Sequence, residues 1–325
     1  MRVQIGLALG LALWASAGIA QIEQASIATP WDSGSADCEA HPRPPIEMKT
    51  YDPKTYILRE NLCATFEAPF IYLLIGADRA LLIDTGDVAD ARKMPLADTV
   101  FAALHSAGAD TLPLVVVHTH RHLDHRAGDP QFIGRPNVQV APYDLAGIQH
   151  FYRFTNWPEG HARLELGGRT VEVIPAPGHE GTELAFYDST TTLLFTGDFL
   201  LPGRLLIDDT AADRASARRL VDFVKDKPVA AILGGHIEID QAGHLFDHGS
   251  TYHPNERPLP MTKADLLALP AALDSFNGVY GRAGPFEMQN SLRILELGAT
   301  VVLILLLALI FGIVRIVRRR RKRAT

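Results

Sequence analysis

The stretch Leu114–His125, LVVVHTHRHLDH, decides how the rest of this chain is read. It joins a strand-like apolar run to four histidines and an aspartate within eight residues, in a chain with 13 histidines in all. Loops at the carboxyl ends of buried strands are where α/β scaffolds commonly build sites. Neutral imidazoles and a carboxylate form a donor set that suits zinc and, less selectively, iron or manganese. The letters also fix the register. Counted from His118, the pattern H-x-H-x-D-H puts His122 where the aspartate belongs; counted from His120, it is complete as His120, His122, Asp124 and His125.

Working outward, Phe70–Gly76 and Ala80–Thr85 are apolar runs separated by Ala-Asp-Arg, which predicts a hairpin. Val138–Ala141, Thr170–Ile174, Leu184–Tyr187, Leu193–Phe195 and Val229–Leu233 predict further short strands. Apolar residues at three- and four-residue spacing predict helices over Ala91–Ala107, Asp144–Tyr152 and Ala211–Lys225. A later helix is expected over Thr262–Phe276, capped by Thr262 and broken or kinked at Pro270. Strands and helices therefore alternate, but not as strict βαβ units, which gives an α/β fold. Residues 21–55, rich in Pro, Ser, Ala and Asp, read as an irregular arm.

Both ends differ from the middle. Residues 1–20 carry one arginine, an apolar run from Ile5 to Trp14 and then small residues, the pattern of a secretory signal peptide. Leu297–Val314 is eighteen residues without a charge, roughly 27 Å as a helix and close to a bilayer's hydrocarbon thickness. Arg315 and the six cations of Arg318–Arg323 belong on the cytoplasmic side. The expectation is a single-pass cell-membrane protein: helix 297–317, basic tail 318–325 inside, and the body exported. A processed sorting signal remains the alternative for this helix. Taking the seven tail cations and Arg2 from the net charge of −6 leaves residues 21–314 at −14. So acidic a body repels phosphate backbones and excludes nucleic acid as the expected partner. Cys38 and Cys63 are too few for a disulfide scaffold, and the sequence leaves open whether they pair.

His120–His125 preceded by Thr119 resembles the T-H-x-H-x-D-H signature of the metallo-β-lactamase fold superfamily. Four further motifs follow that family's order, each after a predicted strand: Asp84-Thr85-Gly86, Pro177-Gly178-His179, Gly197-Asp198 and Gly235-His236. The resemblance covers residues 56–240 and leaves 241–296 as a C-terminal extension. It implies an αββα sandwich of two mixed β-sheets flanked by helices, here with a transmembrane helix added. It further implies one metal held by His120, His122 and His179, a second held by Asp124, His125 and His236, and Asp198 bridging them. Two zinc ions are expected, iron or manganese being the other metals such a set accepts. Asp124 and Asp84 are the candidate catalytic carboxylates, Asp84 by orienting a ligand imidazole.

The chemistry implied is hydrolysis of a small-molecule ester, thioester, lactone or amide by a metal-bridging hydroxide. No G-x-S-x-G elbow suggests a covalent nucleophile instead. His122 stands where flavodiiron members carry glutamate, and Asp198 where true zinc β-lactamases generally carry Ser or Cys. Alternatives that stay open are a mononuclear iron persulfide-dioxygenase-like enzyme, a zinc β-lactamase and a non-catalytic tethered binding module. The sequence gives no oligomeric state.

Overall fold

The computed structural model describes residues 27–323; the expected signal peptide lies outside them. Six strands form the first sheet in the order β1 (Ile46–Asp52), β2 (Thr55–Glu60), β3 (Phe70–Ile75), β4 (Ala80–Ile83), β5 (Leu114–Val117) and β6 (Val138–Val140). β1 to β4 are antiparallel neighbours, and β4, β5 and β6 run parallel. The second sheet comprises β7 (Ala162–Glu165), β8 (Thr170–Pro175), β9 (Leu184–Asp188), β10 (Leu193–Gly197) and β12 (Ala231–Gly234). It is antiparallel except for the β10–β12 pair.

The apolar runs contain no polar alternation because both faces of both sheets are covered. On β3, Phe70, Tyr72 and Leu74 face the second sheet, whose Val173, Phe186, Phe195 and Leu233 complete that core. The alternate residues Ile71, Leu73 and Ile75 join the opposite core, where α1 (Leu96–Ser106) buries Leu96, Val100 and Leu104. The second sheet's outer residues Ala185, Leu194 and Ile232 meet α3 (Thr210–Val224) and α4 (Lys263–Ser275) through Ala217, Leu220, Leu266 and Leu269. α2 is the short Leu145–Tyr152, capped by Asp144. Helix, sheet, sheet and helix thus stack as the αββα sandwich expected from the sequence.

Several details differ from the sequence reading. Residues 46–52, within the arm read as irregular, form the edge strand β1. Helix α1 starts at Leu96 rather than Ala91, since Pro95 stands at its N-cap. Pro270 lies inside α4 without ending it; Thr262 and Asp265 form a reciprocal capping box at its start. The segment after residue 240 is woven into the domain. α4 covers the second sheet, and β14 (Phe286–Gln289) pairs with both β11 (Arg204–Leu206) and β13 (Tyr280–Ala283) in a third small sheet.

Two covalent or ionic ties hold the flanks. Cys38 and Cys63 are disulfide-bonded. Arg59 on β2 makes a bidentate ion pair with Glu256, 2.7 Å on each branch, with both side chains almost fully buried. The C-terminal helix α5 runs unbroken over Ser291–Arg323, and its apolar part is long enough to cross a membrane.

Candidate metal centre

Strand register builds the site. In the first sheet Ile83 pairs with Val117, so Asp84 and His118 leave the sheet side by side at the ends of parallel strands. In the second, Gly197 pairs with Gly234, which does the same for Asp198 and the Gly235-His236 turn. Gly235 must be glycine: a Cβ there would lie 2.4 Å from Asp198 Oδ1 and 2.8 Å from His125 Cε1. His179 comes from the turn between β8 and β9. One end of the sandwich thereby gathers all seven candidate ligands.

They form two clusters. His122 Nδ1 lies 2.9 Å from His120 Nε2 and 3.0 Å from His179 Nε2. In the second, His236 Nε2 lies 3.2 Å from His125 Nε2 and 3.3 Å from Asp124 Oδ2. Within each group the donor atoms are all within 4.8 Å of one another, so each can hold a metal ion. Asp198 stands between them, Oδ1 at 3.4 Å from His125 Nε2 and Oδ2 at 3.6 Å from His179 Nε2. Its Oδ1 is buried with no hydrogen-bond donor. Such an orphaned oxygen is costly unless a cation completes it, so the residues present fit a metal pair.

Outer partners fix which ring nitrogen faces inward. Asp84, fully buried at φ +68°, accepts from Thr119 N at 2.7 Å and Thr119 Oγ1 at 2.9 Å, and lies 2.9 Å from His125 Nδ1. His120 Nδ1 is 3.2 Å from the same hydroxyl. With that hydroxyl donating to Asp84, His120 donates from Nδ1 and keeps the Nε2 lone pair for the site. His179 Nδ1 donates to Leu206 O at 2.9 Å, and His236 Nδ1 to Glu67 O at 2.7 Å. Asp84 reaches the site only through these neighbours and touches no substrate space. His118 packs beneath, 2.8 Å from Asp129 Oδ1.

Electrostatics favour the ligating forms of His120 and Asp198, whereas at His125 and His236 burial is outweighed by the neighbouring carboxylates, Asp198 first, which push the imidazole pKa up. Burial pushes the His120 imidazole well below its usual pKa. Burial alone would raise the Asp198 carboxyl, but the His236 and His125 imidazoles hold it well below the carboxylate range. Glu183 was missed by sequence reasoning. It is fully buried, takes the Asp198 amide on Oε1 at 3.1 Å, and burial with the nearby Asp198 charge raises its pKa far above normal. Its one signal in the sequence is a glutamate abutting the apolar run of β9. Other polar side chains lie at the margin. Arg204 pairs with Glu238 on the rim beside His236, Arg121 pairs with Glu180, and His253 is stacked on Phe246 and held by Glu256. His253 therefore anchors its loop and does not cover the centre.

The metallo-beta-lactamase superfamily model matches residues 64–236. That is more than half of the chain, which belongs to this superfamily. A hydroxyacylglutathione hydrolase of Xylella fastidiosa (strain M23) is 33% identical over 138 residues, 42% of this chain and 46% of that protein. The match thus reaches about half the length of that relative. The acyl-coenzyme A thioesterase MBLAC2 of Gallus gallus is 27% identical over 220 residues, 56% of this chain and 77% of that protein. A crystal structure of a metallo-beta-lactamase from Erythrobacter litoralis superposes with a TM-score of 0.51 at 16% identity, over 72% of this chain and 98% of that one, a likeness of fold.

Proposed function

We propose that this chain is an exported, membrane-anchored hydrolase that holds two zinc ions and cleaves a thioester or a related ester, lactone or amide. The single observation that carries the reading is the pair of donor clusters joined by the orphaned carboxylate of Asp198. His120, His122 and His179 would hold one ion, Asp124, His125 and His236 the other, and Asp198 both. Bound divalent cations supply Lewis acidity and a water that deprotonates near neutral pH.

The chain's own residues do the positioning. Asp84 and Thr119 set the tautomers of His125 and His120, while the carbonyls of Leu206 and Glu67 set those of His179 and His236. Burial of these partners keeps competing water away from the imidazole Nδ1 atoms. Overall, water adds across the acyl bond. Its oxygen joins the acyl carbon, the C–S or C–O bond breaks, the thiol or alcohol leaves with one proton, and the carboxylate releases the other. The thioester stands first because an acyl-coenzyme A thioesterase is among the relatives.

For topology we propose residues 1–20 as the export signal, 21–296 outside the cytoplasm, 297–317 in the bilayer and 318–325 inside. Elemental analysis of the detergent-purified chain should give two zinc per chain, and a panel of thioesters, esters, lactones and β-lactams should show thioester turnover. A chain that carries no metal and cannot be loaded would sink the proposal. Fast β-lactam turnover with inert thioesters would move it to another branch.

A further inference from the structure

The metal centre and the membrane-length helix share a wall. His179 Nδ1 is bonded to the carbonyl of Leu206 on β11, and Leu206 pairs with Gln289 on β14. β14 ends one residue before α5 begins at Ser291, and Asn290 is pinned there by Nδ2 donating to Asp208 O at 3.1 Å. Asp208 and Asp209 in turn donate their amides to the carbonyl of Gly178, the residue before His179, at 3.0 and 2.9 Å. No flexible linker separates the site from the helix. From Ser291 to Glu296, the last charge before the uncharged run, is about 9 Å of helix. A bilayer's interfacial zone adds roughly 5–8 Å on each side of its hydrocarbon core.

The rim beside this wall mixes exposed apolar side chains with arginines. Leu123, between the ligands His122 and Asp124, is 60% exposed. Its loop reaches the same wall through Arg121, whose Nε lies 2.7 Å from Glu180 Oε1, two residues beyond Gly178. Arg126 donates Nε to the Arg121 carbonyl and lays its guanidinium 4.0 Å above the Tyr143 ring. Tyr143 and Leu145 are 42% and 39% exposed. Leucine, tyrosine and arginine together are the composition of a surface that sits at the headgroup level.

Resting on the hydrolase reading above, we propose that the mouth of the metal centre lies at the membrane interface and takes an acyl thioester or ester whose acyl chain stays in the bilayer. The leaving thiol or alcohol faces water while the Leu123–Tyr143–Leu145 rim rests on the lipid. A freely soluble short-chain substrate would need none of this geometry.

The test uses the full chain in phosphatidylcholine vesicles. An insert of about eighteen helical residues after Glu296 lifts the domain about 27 Å in five whole turns, so its facing is unchanged. Two substrates share one leaving group: the acetyl thioester of N-acetylcysteamine, dissolved in water, and the palmitoyl thioester, dissolved in the vesicles. The lift should cut palmitoyl turnover at least tenfold and leave acetyl turnover within twofold. Palmitoyl turnover indifferent to the lift overturns the inference. Independently of activity, a fluorophore on the Leu145→Cys variant should be quenched by nitroxide-labelled lipid headgroups, and the quenching should vanish with the insert. An unquenched label without the insert overturns the inference alone. A parent chain that turns over neither thioester overturns the thioester substrate assigned here, whereas a chain that also carries no metal removes the hydrolase reading itself.

Discussion

Replacing Asp84 by Asn exchanges one carboxylate oxygen for an amide nitrogen and should weaken one candidate metal site. Asn is nearly isosteric and tolerates the left-handed backbone that Asp84 adopts at φ +68°. Its Oδ1 can still accept the Thr119 amide that now lies 2.7 Å from the carboxylate. Its Nδ2, however, then faces both Thr119 Oγ1 and His125 Nδ1, where the wild type offers an acceptor at 2.9 Å to each. An amide donor there obliges His125 Nδ1 to accept, which places the imidazole proton on Nε2. That nitrogen is the one turned toward Asp198 and His236, so the lone pair it must give a cation is lost. Loss of an outer partner typically costs 10- to 100-fold in metal affinity; with the tautomer inverted as well, the upper end applies, about 2.7 kcal/mol. Competition with a chromogenic chelator resolves two dissociation steps. The step of the His125-containing site should fall about 100-fold, and the step belonging to His120, His122 and His179, tied to Asp84 only through the Thr119 hydroxyl, should fall by less. A second step unchanged in Asp84→Asn, or both steps weakened alike, would refute the reasoning.

Three further outcomes are expected. Glu256→Ala strips the partner from a guanidinium only 3% exposed, which should cost about 3–5 kcal/mol in urea unfolding; a loss under about 1 kcal/mol would mean that Arg59 finds water. Burial, with Asp209 nearby, raises the Asp213 carboxyl from 3.8 to about 8. It therefore stays protonated in the folded chain while the unfolded chain ionises, and stability falls by about 1.4 kcal/mol per pH unit across that window. Asp213→Asn should gain on the wild type as pH rises from 5 to 7, and an equal difference at both pH values would exclude this cause. Reducing Cys38–Cys63, which closes a 25-residue separation, should cost roughly 3–4 kcal/mol in the chain-entropy picture. It also frees the loop whose Glu67 carbonyl orients His236, so metal at the His236 site should become easier to chelate than metal at the other.

What could be read in advance was whatever depends on short-range pattern. Strands such as Ala80–Ile83 and Leu114–Val117 are runs of residues that pack on both sides, and candidate site motifs sit directly at their ends. β1, β2, β7, β11, β13 and β14 escaped because their lettering is mixed: IEMKTYD is polar enough for a loop, and its pairing with β2 is settled only by the fold. Pro270 misled for the opposite reason, since burial of Leu266, Leu269 and Leu273 holds α4 together across a missing amide donor. In the site, the candidate ligands were drawn from side-chain chemistry together with the family resemblance, and the fold gathers them into two groups. The partners that orient them were only half legible. Asp84 follows a strand in a recognisable turn, but two of the other acceptors are backbone carbonyls, of Leu206 and Glu67, which leave no mark on a sequence. Glu183 bears a letter usually found at the surface; only its enclosure by β9 and the Asp198 loop makes it part of the centre.

Helix α4 carries a consequence for how this protein can be inherited and handled. It lies beyond residue 236, outside the stretch shared with the superfamily, yet its leucines roof the second sheet. The loops that carry the candidate ligands are therefore not a portable cassette. A chain interrupted near residue 240 would keep every candidate ligand and still uncover the part of the second sheet's outer core that Leu266, Leu269 and Leu273 close. Its fate would be aggregation or proteolysis before any metal arrived. Selection on these distal leucines is selection on the active centre, although none of them comes near it.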